Sequence, residues 1–363
     1  MICKAIWERY LLKEMVKVFL LFLFSFYFLY TLIDYSMHLQ EIMKSTRIAF
    51  GDLALYYAML FSKRCDLLLP LAFLIAMLKV LCSLNRKNEL IAFQAGGISI
   101  KRLMRPFSLA ALVCVAFNYL NFEFIIPHSL NFIDRFEKTH FRKKQSSQKK
   151  KSGVHVLSLE DGNRLIYQNY NNEKKELFDV YWVLSADELW YMKYLSLGGL
   201  VPRGRQVDIL SRSEKGLIEK GDSYENHSFE KLNIDFDLKN YITNPMENRS
   251  ISELWSLMGK EKPFLKEKIG MIKTHFYLKL LMPWLSFFVL IGVSPYAIRF
   301  SRHMPVFLIY SLGIFGYLAL FMIIGASCSL GESNVIAPFW ALFTVPILIS
   351  LFFGRKFLKM GSV

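Results

Sequence analysis

Residues Asp66–Leu84, with the sequence DLLLPLAFLIAMLKVLCSL, form an apolar stretch that predicts a membrane-spanning helix. The hydrocarbon core of a bilayer is about 30 Å thick, and a helix crosses it with roughly 20 largely apolar residues. Five further stretches meet this requirement: Met15–Ile33, Pro106–Ile126, Leu278–Ile298, Met304–Gly325 and Val335–Phe353. Because 53% of the 363 residues are hydrophobic, more than in an ordinary soluble domain, the sequence predicts an α-helical polytopic membrane protein.

A polar insert separates the first three spans from the last three. It contains short runs with β-type alternation or composition: Val154–Leu159, Arg164–Gln168, Phe178–Leu184, Glu188–Leu195, Gln206–Leu210 and Lys231–Leu238. Turn signals such as Gly221-Asp222 separate them, and many short strands with regular turns favour a sandwich or jelly roll. We therefore predict three transmembrane helices in residues 1–132, an inserted all-β, jelly-roll-like domain in residues 133–263, and three further helices in residues 264–363.

The distribution of Lys and Arg predicts how the spans are oriented. In a six-span arrangement the basic amino terminus falls on the same side as Arg86, Lys87, Lys101, Arg102, Arg105, Arg299, Arg302, Arg355, Lys356 and Lys359. The opposite side has fewer basic residues, namely Lys44, Arg47, Lys63 and Arg64 in its first loop. Short loops rich in Lys and Arg stay in the cytoplasm, so both termini are predicted to be cytoplasmic and the β domain periplasmic. The first span lacks a small-residue cleavage site and is expected to remain as an anchor.

The chain lacks the motifs of several other protein classes. The five cysteines lie in or beside spans and the seven histidines show no HExxH spacing, so no metal site or disulfide framework is predicted. There is no G-x-S-x-G elbow and no G-x-x-x-x-G-K-[ST] loop for ATP phosphates. The net charge of +15 is explained by topology and by the basic run Lys138–Lys151, which favours an anionic lipid over nucleic acid as a partner.

The segment between spans two and three, Asn88–Arg102 (NELIAFQAGGISIKR), predicts a short helix. Good helix formers precede a Gly-Gly pair that ends the helix, so a coupling helix is expected at about residues 86–97. Glu89 stands on its polar face. The apolar residues that are expected to enter a partner's groove are Leu90, Ala92 and Phe93. The alternative is that Glu89 is a solvated charge in a cytoplasmic turn.

A basic pair, Lys63 and Arg64, lies where span two begins. Charged groups at a membrane boundary are candidates for function unless they pair or snorkel, and an Arg fork with a Lys charge suits phosphate groups. Lys44 and Arg47, in the preceding loop, are further candidates for binding a lipid. The alternative is simple snorkelling with an internal Arg64–Asp66 pair.

The remaining polar residues in the spans are interpreted as lying near span ends rather than as buried. They are Asn118, Asn121, Glu123, Lys79, His275 and Lys279. Long basic side chains at such positions reach the interface by snorkelling. Asp34, at the end of span one, is a possible partner of Lys63 or Arg64.

Several parts of the chain together resemble one known family. Arg9–Glu14 before span one, Asn88–Ser99 between spans two and three, the β insert and the three closing spans are similar to the LptF/LptG family. These are the permease subunits of lipopolysaccharide export from the bacterial inner membrane. The most specific part is the pattern E-L-x-A-x-x-A-x-G-I-S, which Glu89–Ser99 meets.

The resemblance implies a transporter subunit rather than an enzyme. In this family two permeases pair, each receives a cytoplasmic ABC ATPase subunit that binds the ATP, and lipopolysaccharide passes to periplasmic jelly-roll bridge proteins. No cofactor is therefore expected in this chain. The resemblance assigns ATPase coupling to Glu89, Arg86, Leu90, Phe93 and Gly97. It assigns the lipid contacts to Lys63, Arg64, Lys44 and Arg47, although some relatives instead have lysines at the end of span one.

Other function classes fit the sequence less well. A proton-driven transporter would need acidic residues near the membrane midplane, whereas Asp34, Asp66 and Glu123 lie near span ends. A membrane-anchored β-domain sensor or assembly protein without ATP-driven transport is the main alternative, and dependence of activity on an ATPase would separate the two. The sequence leaves open whether the chain is of the F or G type and whether it pairs with a copy of itself.

Overall fold

The computed structural model describes residues 5–44, 49–141, 154–159, 162–171, 175–185, 187–198, 201–212, 217–230, 232, 245–260, 265, 268–298 and 305–359. The chain divides into two compact units. We call Met1–Phe141, Ser250–Trp255 and Gly270–Val363 the helical unit. We call Arg142–Arg249 and Ser256–Ile269 the β unit.

Six helical segments among the described residues are long and apolar enough to cross a membrane. The α-helices are α1 (Ile6–Lys44), α2 (Phe50–Arg86), α3 (Glu89–Ala95), α4 (Ile100–Leu103), α5 (Arg105–Leu120), α6 (Ile126–Phe136), α7 (Ile251–Met258), α8 (Ile269–Leu281), α9 (Leu285–Ile298), α10 (Val306–Glu332) and α11 (Pro338–Lys359). Three spans precede the sheet and three follow it, which confirms the predicted architecture. The third span joins α4, α5 and α6 through a π-helical turn at Asn121–Ile125, and the fourth joins α8 and α9 through a 3-10 turn at Met282–Trp284.

Helix α1 is longer than the apolar run that predicted it. It begins at Ile6 and ends at Lys44, whereas the hydrophobic stretch covers only Met15–Ile33. Arg and Lys are good helix formers, so the basic residues before the apolar run continue the helix instead of ending it. Hydropathy therefore located the membrane-crossing part of α1 and missed both ends.

Helix α2 lies at the centre of the helical unit. It contacts α1, α5, α6, α9 and α10, and its most apolar 18-residue window is 78% buried, against 11% for α1, 22% for α10 and 17% for α11. A helix that is apolar on all its sides is typical of a buried position inside a helical bundle. The largely exposed apolar faces of α1, α10 and α11 are therefore available to lipid or to another subunit.

The β unit contains a six-stranded antiparallel sheet with its strands in sequence order. The strands are β1 (His155–Ser158), β2 (Arg164–Asn171), β3 (Glu176–Val183), β4 (Glu188–Ser196), β5 (Arg203–Arg212) and β6 (Ile218–Ser228). An inserted antiparallel β domain is thereby confirmed; its described strands form one sheet, and residues 251–258 of the predicted insert form α7. Buried side chains such as Leu165, Val180, Met192 and Val207 supply its apolar core.

Strand β6 was not predicted, and the reason lies in its composition. Its side chains are almost all exposed, so it has no apolar alternation to reveal it. Gly221-Asp222, interpreted as a turn, lies inside this strand, opposite a register shift between Asp208 and Leu210 of β5. Backbone pairing holds β6 in the sheet. The predicted strand Lys231–Leu238 lies outside the described residues, apart from Leu232.

Candidate functional site

The coupling segment is divided by a turn after α2. Arg86 is the last residue of α2, and Asn88, with φ of 58°, separates it from α3. The predicted helix at about residues 86–97 is therefore the seven-residue helix Glu89–Ala95. Arg86 belongs to the long span and Glu89 to the short helix, so the two charged residues sit on different elements.

Gly97 ends α3 with a Schellman motif. The N–H of Ile98 donates to the carbonyl of Phe93 (2.9 Å), and the N–H of Gly97 donates to the carbonyl of Gln94 (3.0 Å). This motif needs a left-handed residue just beyond the helix, and Gly97 supplies it with φ of 79°. The glycine therefore fixes both where α3 ends and the direction in which the chain leaves it.

Two of the apolar residues of α3 face the protein's own core. Leu90 is 6% exposed and belongs to the core cluster of the helical unit, while Phe93 packs against it. The rings of Phe93 and Trp7 of α1 lie 6.0 Å apart. The expectation that Leu90, Ala92 and Phe93 all enter a partner's groove is corrected here, because Leu90 and Phe93 fasten α3 to this chain.

The outward face of α3 consists of other residues. Ile91 is 59% exposed, and the further exposed residues of the helix are Ala92, Gln94 and Ala95. Ile91 was not among the predicted coupling residues. The signal that was available is the three-residue spacing of Leu90 and Phe93, which places them on one face and leaves Ile91 on another.

Charged residues surround a small cleft where α1, α2 and α3 meet. Glu89 Oε1 lies 3.8 Å from Lys87 Nζ, and Glu14 Oε1 of α1 lies 3.6 Å from Lys79 Nζ of α2. These four side chains and Tyr10 line the same cleft. Glu89 is thus part of a mixed-charge cluster joining three helices, rather than an isolated solvated charge.

The basic pair of α2 contacts α1. Arg64 Nε donates a hydrogen bond to the hydroxyl of Tyr30 (3.0 Å), and its guanidinium carbon lies 5.1 Å from the centre of the Tyr30 ring. Asp66 Oδ1 accepts a hydrogen bond from the N–H of Leu67 (2.8 Å). Arg64 therefore has Tyr30 as its close partner, rather than the Asp66 of the snorkelling alternative, and it remains exposed beside Lys63.

The remaining residues expected at this end of the spans are Asp34, Lys44 and Arg47. Asp34 Oδ2 lies 3.7 Å from His38 Nδ1, so the basic side chain beside it is His38 rather than Lys63 or Arg64. Lys44 is the last residue of α1, and its side chain is outside the described part of the structure. Arg47 lies outside the described residues.

An open apolar groove of about 720 Å³ runs along α1. Its lining residues are Phe24, Ser25, Tyr27, Phe28, Thr31, Leu32, Tyr35 and Tyr57. The hydroxyl of Tyr27 donates to the carbonyl of Tyr57, and the Tyr27 ring lies 6.5 Å from that of Tyr30. Tyr30, which holds Arg64, is therefore a neighbour of a groove-lining residue, while neither Tyr30 nor Arg64 lines the groove itself.

The interpretation of the polar residues in the spans as unburied is wrong for several of them. Asn118 and Asn121 are buried in the third span, and His275 and Lys279 are buried in the fourth. The Asn121 amide donates to the carbonyl of Ser62 (2.9 Å) and joins the third span to α2. Lys79 is exposed and fits the interfacial interpretation. Position along a span did not reveal which side of the helix these residues occupy.

A protein-family model matches nearly the whole chain. The family model described as lipopolysaccharide export system permease LptF/LptG matches residues 9–359. The match includes both units and extends from α1 into α11. No curated protein matches the chain significantly.

Proposed function

Because the chain belongs to the LptF/LptG permease family, we propose that it is a membrane subunit of an ABC transporter. In this proposal it extracts lipopolysaccharide from the bacterial inner membrane and passes it to a periplasmic bridge. A cytoplasmic ATPase dimer and a second LptF/LptG-type permease complete the complex. The structural observation that carries the proposal is α3, a short helix anchored on one side and exposed on the other.

Helix α3 has the properties that a force-transmitting contact requires. Its exposed face, centred on Ile91, fits an apolar groove on the ATPase. Its inner face is held by Leu90 and Phe93, which pack in the core. Protein interiors are close-packed and transmit strain. A force applied to α3 would therefore reach α1 and α2. ATP would be bound by the partner, because this sequence has no phosphate-binding loop.

The groove along α1 supports a lipid as the transported molecule. Its apolar lining suits acyl chains, and the exposed Arg64 beside Tyr30 suits a phosphate group. Lys63 adds a second charge, and Lys44 and Arg47 remain further candidates. The exposed apolar face of α1 would then be covered by substrate or by the second permease.

The β unit would supply the route out of the membrane. Among the described strands, β1 and β6 form the edges of the sheet. An edge strand offers unpaired backbone groups with which a neighbouring strand can pair. We propose that jelly-roll bridge proteins continue the sheet from such an edge, with the β unit in the periplasm and both termini in the cytoplasm.

The test is reconstitution of the chain with its ATPase and second permease in proteoliposomes. Ile91→Arg puts a charge into the proposed apolar contact, where losing a central residue costs about 2 kcal/mol, so affinity for the ATPase should fall roughly 30-fold. Ile6→Arg is the matched control, because Ile6 is also exposed and lies on the same predicted side of the membrane. Lipopolysaccharide release should depend on ATP in the wild type and in Ile6→Arg, and should be lost in Ile91→Arg.

Two results would contradict this function. Equal ATPase binding by the two variants would remove α3 from the contact. Failure of the wild-type chain to associate with any ATPase would favour the alternative of a membrane-anchored sensor or assembly protein.

A further inference from the structure

We propose that His275, Cys328 and Glu332 form a binding site for a divalent transition-metal ion, with Zn²⁺ as the ion that their chemistry fits best. His275 lies on α8, and Cys328 and Glu332 lie one turn apart at the end of α10. One ligand atom from each residue lies within 4.8 Å of the others. The proposed ion would join the fourth and fifth spans and is independent of the lipid and coupling sites.

Two of the three ligand separations are close to those of a tetrahedral site. His275 Nε2 lies 3.1 Å from Glu332 Oε1, and Cys328 Sγ lies 3.3 Å from the same oxygen. Zinc bonds to nitrogen, oxygen and sulfur are about 2.0–2.3 Å long, so ligand atoms around a tetrahedral ion are separated by roughly 3.3–3.7 Å.

The set of ligand types favours zinc among common ions. A thiolate and an imidazole select against Mg²⁺ and Ca²⁺, which prefer oxygen ligands, and three protein ligands leave one position for water or another oxygen ligand. The Cys328 thiol donates a hydrogen bond to the Glu332 carboxylate (3.3 Å). Binding of Zn²⁺ would release that proton to solvent and form the thiolate bond, so affinity should rise with pH.

Close packing of the two helices holds the ligands in place. An ideal Cβ on Gly331 would lie 2.8 Å from Thr274 Oγ1, and one on Gly270 would lie 1.8 Å from Asn334 Oδ1. Gly331 precedes Glu332, and Thr274 precedes His275, so this contact sets the separation of two ligands. His275 and Cys328 are buried and Glu332 is half-buried, which leaves the ion an entry path on the carboxylate side.

The experiment uses the full chain purified in detergent, stripped with a chelator and then titrated with Co²⁺ as a spectroscopic substitute for Zn²⁺. One equivalent should bind and produce a thiolate-to-cobalt charge-transfer absorption, which one equivalent of Zn²⁺ should abolish. Absence of this absorption in the wild-type chain overturns the proposal. The readout does not depend on transport, so it is unaffected if the proposed function fails.

Variants identify the ligands. Cys328→Ser should abolish the charge-transfer absorption and weaken Zn²⁺ binding more than about 100-fold, because even outer-shell partners change affinity roughly 10–100-fold. Cys114→Ser, at another buried cysteine, is the matched control and should bind as the wild type does. Glu332→Gln should weaken binding while keeping the thiolate absorption at high Co²⁺. Retention of wild-type absorption by Cys328→Ser overturns the assignment.

Discussion

Replacing Gly97 by alanine is expected to loosen the end of α3 through backbone strain alone. An ideal Cβ at Gly97 has no heavy atom within 4 Å, so the methyl group meets no steric obstacle. The φ of 79° is the source of the cost, because an L-residue in the left-handed region loses about 1–2 kcal/mol. Opening of the Schellman turn should therefore become about 5–30 times more frequent.

The assay is hydrogen exchange of the full-length chain in detergent, measured at the Ile98 amide, which donates to the Phe93 carbonyl across this turn. Exchange at Ile98 should accelerate by that same factor in Gly97→Ala. Gly96→Ala is the matched control, because Gly96, the C-cap residue, has φ of −78°, which an L-residue adopts without strain. Gly97→Asn should fall between them, since asparagine tolerates the left-handed region.

Two outcomes would refute this reasoning. Equal acceleration in Gly96→Ala and Gly97→Ala would show that the added methyl group, rather than the backbone conformation, disturbs the turn. Unchanged exchange at Ile98 in Gly97→Ala would show that the Schellman hydrogen bond does not limit opening of this end of α3.

Three further predictions concern the core, the groove and the sheet. Leu90→Ala should destabilise the docking of α3 by about 2–5 kcal/mol, and Ile91→Ala by under about 0.5 kcal/mol; hydrogen exchange of α3 in the two variants checks this difference. Arg64→Gln should weaken lipopolysaccharide binding by the reconstituted complex roughly 10-fold or more, since a hydrogen bond to a charged group contributes about 1.5–3 kcal/mol, and unchanged affinity would exclude a phosphate contact there. Hydrogen bonds from Lys220 and Ser223 lower the pKa of Asp208. The contribution of Asp208 to β6 pairing is therefore complete above about pH 4 and is lost as the pH falls through the lowered pKa. Hydrogen exchange in β6, corrected for intrinsic rates, should show this loss in the wild type and not in Asp208→Asn.

The membrane architecture was predictable because bilayer thickness fixes a length and a composition that few other structures share. The sheet was predictable where side chains alternate, as in β3 and β4. It was not predictable at β6, where the pairing uses backbone groups and the side chains are exposed. Strand prediction from side-chain pattern fails wherever neither face of the strand is buried.

The location of the coupling helix α3 was predictable from the sequence, but the face that it turns toward the core was not. The sequence identified the short helix, its glycine stop and Glu89 as a charge on it. Which face of a seven-residue helix turns inward depends on a distant residue, here Trp7 of α1, whose ring meets Phe93. The same limit applies to the proposed metal site. Cys328 and Glu332 show helical spacing, but His275 comes from another span.

Both predicted sites of the permease are connected by one helix, α2. Arg64 and Arg86 are 22 residues apart in this helix, which corresponds to about 33 Å, and the turns between them are largely buried among neighbouring helices. Pro70 interrupts the hydrogen-bond ladder between the two sites, and a proline is where a helix bends most readily. A displacement of α3 that is transmitted to the end of α2 must therefore either carry Arg64 with it or bend α2 at Pro70. Only the first movement alters the groove along α1, because Tyr57, which lies on the same side of Pro70 as Arg64, forms part of its wall.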